Sequence, residues 1–104
     1  MSFDLNKTLE EMVGAATGVL SKDATKIQAC VRRAVDESRA ELEIIAQNRL
    51  SGAYDDDDVE SELEDEGKTL RSALLACKVQ GKAAVQKAVN AAFGVLKKAI
   101  KAAL

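Results

Sequence analysis

The chain has no histidine, no proline and no tryptophan. Without histidine there is no histidine-dependent catalytic triad and no His-containing zinc site. Aromatic residues are down to Phe3, Tyr54 and Phe93. A core of Ala, Val, Leu and Ile without bulky rings favours helices that approach one another closely. The two cysteines are not spaced as CxxC, so neither a zinc knuckle nor a thioredoxin-type redox pair is indicated. Neither GxxxxGK[ST] nor GxGxxG occurs, so nucleotide phosphates have no ready cradle. No apolar run approaches the roughly 18 residues of a membrane span. The longest, Met12 to Leu20, is nine residues and contains two glycines. No signal peptide precedes it, so the chain reads as cytosolic or as a mature secreted chain with an added Met1.

What is present is helical. One hundred and four residues make one domain, 1–104, able to bury a modest core. The helical pattern stops outright at Leu50-Ser51-Gly52-Ala53-Tyr54, just before four consecutive aspartates. Gly52 can take the left-handed conformation that ends a helix, and the aspartates suit the positive end of the next one. The spacing predicts an all-α fold, an antiparallel helical hairpin or four-helix up-down bundle. Its turn falls at 51–56 and its candidate breaks near 18–21 and 81. As an unbroken hairpin, each arm of nearly fifty residues would be about 70 Å long and would need a partner to cover its apolar face.

The first arm divides into two segments. Over 4–17, capped by Ser2 or Asp4, the residues Leu5, Leu9, Met12, Val13, Ala16, Val19 and Leu20 fall at helical spacing. Gly14 and Gly18 form a GxxxG element, which predicts close packing on a neighbouring helix. Gly18 is also a candidate stop, with Ser21 capping the second helix. A helix over 22–50 carries Ile27, Val31, Ala34, Val35, Ser38, Leu42 and Ile45 on its apolar face.

The second arm begins with a helix over 57–80, with Val59, Leu63, Leu70, Leu74 and Cys77 on one face and Gly67 at its edge. The last segment, 82–104, is the most regular. Val85, Val89, Ala92, Phe93, Leu96, Ile100 and Ala103 fill one side of it, and Lys87, Lys97, Lys98 and Lys101 the other. This is either a bundle helix with its lysines in water or a basic amphipathic helix for an anionic surface. A short internal echo links Ala15–Lys22 to Ala91–Lys98, too brief to establish duplication.

Charge is unevenly spread. Residues 55–66 hold nine acids and no base, and residues 68–104 hold eight bases and no acid. The two stretches are expected to compensate one another within the fold or across a dimer. Asp55, Asp56, Asp57, Asp58 and Glu60 are oxygen ligands of the kind calcium uses. The EF-hand loop pattern is nonetheless absent, so no metal and no cofactor is expected. Scattered lysines without interleaved aromatics, beside an acidic tip, argue against nucleic acid.

A hairpin folded about position 53.5 sets residue i beside residue 107 − i, which pairs Cys30 with Cys77. The two are read as a disulfide, the alternative being two buried thiols. A bridge implies an oxidising, secreted location, and its absence a cytoplasmic one. Asn6-Lys7-Thr8 is a formal glycosylation sequon, expected to lie in a helix.

No reaction is indicated, so the chain is read as a non-enzymatic helical binding module. It would act through an apolar interior or face, on a lipid, another apolar small molecule or partner helices. The face is expected to comprise Leu9, Met12, Val31, Leu42, Leu70, Leu74, Val89, Phe93, Leu96 and Ile100. Two alternatives stand beside it. One is peripheral membrane contact through 82–104 by Lys87, Lys97, Lys98 and Lys101. The other is a self-associating homo-oligomer forming a dimeric bundle.

Overall fold

The computed structural model describes residues 3–20, 24–77 and 81–104. These form α1 (Leu5–Leu20), α2 (Ala24–Glu37), α3 (Arg39–Leu50), α4 (Asp56–Leu75) and α5 (Lys82–Ala103). The fold is all-α, with no strand among the described residues. Its longest dimension is 39 Å and its radius of gyration 13.1 Å. The long-armed hairpin is therefore replaced by the bundle: each arm is bent into shorter helices, and the apolar faces of the two arms close on one another.

The α3–α4 turn forms as its residues dictate. Gly52 has φ +86°, and its N–H donates to Arg49 O at 3.2 Å. Asp55 then caps α4. Its Oδ1 accepts from Asp58 N–H at 2.8 Å, while Asp58 Oδ2 accepts from Asp55 N–H at 3.0 Å. Both partners of this capping box are aspartates, and the carboxylates also meet the positive helix end. Arg49 ties the two helices together through Asp56 Oδ1 at 3.0 Å.

Reciprocal pairing runs through the whole bundle. α1 lies antiparallel to α2, with Arg32 on Glu10 and Arg39 on Asn6. α4 lies antiparallel to α5, with Lys97 on Glu60 and Arg71 on Gln86. The start of α1 meets the end of α5, where Phe3, Lys7 and Thr8 stand with Ala99, Ala102 and Ala103. The most extended helix contact is between α1 and α5. Small alanines allow that approach.

Several boundaries differ from those the pattern predicts. Helix α1 continues through Gly18 to Leu20, so Gly18 is not its stop. The expected caps Ser2 and Ser21 lie outside the described residues, as does the 78–80 end of the third predicted helix. α4 stops at Leu75, where Cys77 N–H turns back to Leu74 O at 3.0 Å. Gly81 is a true break, extended at φ −75°, ψ 171° before α5. The glycines of the GxxxG element do not mediate close packing. Both are exposed, and a Cβ at either would meet nothing within 4 Å. The face of α1 is set by Leu9, Met12, Val13, Ala16 and Leu20, whose burial outweighs any gain from glycine contact and leaves Val19 40% exposed.

The break at Ser38 has no signature in the pattern. Its N–H donates to Val35 O, three residues back, at 3.1 Å. Its side chain is buried and its Oγ has no partner. A desolvated, unpaired hydroxyl costs about 1–3 kcal/mol. Ser38→Ala is therefore expected to raise stability by about 1 kcal/mol, read as a higher urea midpoint at unchanged m-value.

Candidate functional site

The core takes all ten residues expected on the apolar face. Leu9, Met12, Val31, Leu42, Leu70, Leu74, Val89, Phe93, Leu96 and Ile100 are buried in one cluster. They pack on one another, and the larger hollows around the bundle open at its surface. Lys87, Lys97, Lys98 and Lys101 are exposed along the outside of α5. The apolar side of that helix, Val85, Val89, Ala92, Phe93, Leu96 and Ile100, is spent in the core. Among the described residues no helix is long and apolar enough to cross a membrane. The acids of the tip are partly engaged, Asp55 and Asp58 with each other's backbone and Asp56 with Arg49.

Cys30 and Cys77 are brought together as a disulfide, Cα to Cα 6.0 Å. The bond joins α2 to the turn at the end of α4.

The feature with the most chemistry is the groove between α4 and α5, of about 500 Å³. That volume lies in the range of small-molecule sites. Gly67 lines it from α4. The glycine is buried against α5, with Phe93 Cε2 at 3.4 Å and Val89 Cγ1 at 3.6 Å from where its Cβ would stand. Leu63, Val89 and Phe93 provide the apolar floor. Polar bridges between the helices stand at both ends. At one, Lys97 Nζ donates to Glu60 Oε1 at 2.7 Å. At the other, Arg71 donates to Gln86 Oε1 at 2.6 Å, and Gln86 Nε2 donates on to Asn90 Oδ1 at 3.0 Å. The bridges are eleven residues apart on each helix, 60 to 71 and 86 to 97, which is about 16 Å of groove.

No family model, no curated protein and no solved structure matches the chain.

A narrower hollow of about 240 Å³ lies at the turn end, where Val59, Ile100 and Leu104 are rimmed by Arg49, Asp56 and Lys101. A wide apolar dip on the outer face of α5, beside Gly94 and Val95, is lined by that helix alone and has no facing wall. The α4–α5 groove has two walls, a floor and bridged ends. Sequence reading placed Val89 and Phe93 on the right helix face but missed the rim formed by Glu64, Lys68, Arg71, Gln86 and Asn90. The available signal was Gly67, a helix-interior glycine on the edge of an apolar stripe.

Proposed function

We propose that this protein is a non-enzymatic binding module whose ligand lies in the α4–α5 groove. The observation that carries the reading is the α4–α5 groove itself, lined by Leu63, Gly67, Val89 and Phe93 between two polar bridges. An apolar floor with a polar rim fits an amphipathic small molecule rather than a wholly apolar one. The binding face is thus the groove, while the ten core residues hold the walls in place. The rim residues are Glu60, Glu64, Lys68, Arg71, Gln86, Asn90 and Lys97. The Cys30–Cys77 bond fits an oxidising compartment, and with it secretion.

Peripheral membrane contact is a weaker reading, because the large apolar residues of α5 lie in the core and its outer face offers a bilayer only lysines around a shallow dip at Gly94 and Val95. A dimeric bundle is likewise weaker, because the exposed large apolar residues are scattered, Val19 on α1, Ile44 on α3 and Leu104 just past the end of α5.

The neutral dye Nile red tests the groove. Its fluorescence is expected to rise saturably with one dye per chain. Gly67→Leu, which pushes a large side chain against Phe93 and Val89 at the groove floor, is expected to weaken binding by about tenfold or more. Gly67→Ala places a Cβ at ordinary contact distance and should leave binding nearly intact. Equal dye affinity in wild type and Gly67→Leu rules the groove out.

A further inference from the structure

We infer that the groove takes an anionic amphiphile, such as a medium-chain carboxylate, with its head group at the Arg71–Gln86 end. The inference rests on the groove reading above and adds charge and direction to it. Charge along the rim is ordered. At the Glu60–Lys97 end the acid and the base neutralise one another. Glu64, one turn further along α4, leaves that half net negative. The other half carries Lys68 and Arg71 on α4, opposite the neutral Gln86 and Asn90 on α5. Lys68 lies 4.0 Å from Asp65, a loose contact between two well-exposed groups.

Arg71 is half-buried, and its one hydrogen bond across the groove goes to an uncharged amide. A guanidinium has five N–H donors, so most of its fork stays available. That fork matches a carboxylate in the bidentate manner, and a charge paired to a neutral group in a partly desolvated rim gains most from a true counter-ion. Lys68, three residues before Arg71, stands on the same rim one helical turn away and adds a second positive charge. From that end the floor runs over Gly67 and along Val89, Phe93 and Leu63 toward Glu64 and Glu60. An alkyl or aryl body laid there covers the apolar floor and keeps its charged end away from the two glutamates. A cationic amphiphile in the same orientation would set its charge against Arg71. Reversed, it would find one uncompensated glutamate.

Isothermal titration calorimetry on the full chain decides this, using decanoate and decyltrimethylammonium below their micellar concentrations. Decanoate is expected to bind about tenfold or more tightly than the ammonium. Its affinity should fall with added salt. Arg71→Gln is expected to remove most of that preference while leaving the ammonium affinity unchanged. Lys68→Gln, at an exposed position, should reduce it by a smaller factor and provides a variant with little bearing on the fold. Equal affinities, or a preference unchanged in both variants, overturn the inference. If Gly67→Leu still blocks both ligands in that case, the groove remains the site and only the anionic assignment falls. If neither ligand binds, or Gly67→Leu changes nothing, the site and the assignment fall together.

Discussion

Replacing Cys30 and Cys77 together by alanine is expected to lower the free energy of unfolding by about 4 kcal/mol. The bond spans 47 positions in sequence. Cutting it restores to the unfolded chain the conformational freedom that a loop of this length had lost. In the folded state it ties α2 to the end of α4, where the chain leaves the helix and must return as α5. With two cysteines in the chain, it is the one disulfide that the sequence allows. A domain of this size typically has about 5–15 kcal/mol in total, so the loss is a large fraction of its stability. Urea unfolding of the variant, beside the native protein with and without dithiothreitol, measures it. Reduced protein and double variant should coincide near 4 kcal/mol below the oxidised form. A difference under about 1 kcal/mol, or two free thiols counted by mass in the non-reduced protein, would show that the bond does not hold the fold.

Phe93→Ala is expected to cost about 3–5 kcal/mol. Phe93 is 6% exposed and is the one aromatic ring buried among the described residues. Its ring also lies against the backbone at Gly67, so deletion removes packing from both α4 and α5. Phe93→Leu keeps much of the volume and is expected to cost clearly less, about 1 kcal/mol. Val19→Ala, at an exposed position on α1, should change stability by no more than about 0.5 kcal/mol and serves as the control. Chemical denaturation of the three variants gives the order. Because Phe93 is also the floor of the groove, its removal should weaken Nile red binding even where the protein is folded. Equal stability of Phe93→Ala and Val19→Ala would mean that the ring is not packed between α4 and α5.

The opposed charge blocks meet only in part. Glu60 and Lys97 join the acidic start of α4 to the basic end of α5, as expected for internal compensation. Lys87 and Lys98 stay in water, and so do most of the acids of α4. The chain therefore keeps an acidic and a basic face on neighbouring helices, and the α4–α5 groove runs between them.

Local chemistry was readable from the residues. Gly52 and the aspartates after it fix the reversal, because only there do a left-handed glycine and an acidic helix start come one after the other. The apolar stripes around Val31, Leu42, Leu70 and Leu96 name the core, since burial tracks the helical period wherever a helix forms. Cys30 and Cys77 could be paired because a reversal at a known point sets the register of everything beyond it. The tertiary structure alone decided which faces meet. Gly14 and Gly18 match a packing motif yet face water, whereas the isolated Gly67 is the glycine that another helix approaches. Ser38 interrupts a helix with no local breaker, because its turn closes three residues back beneath a packed core. The rim from Glu60 to Arg71 became a groove only once α5 lay antiparallel to α4. A sequence repeats its hydrophobic pattern with the helix turn, but the distance between two helices depends on side chains from both, which are far apart along the chain.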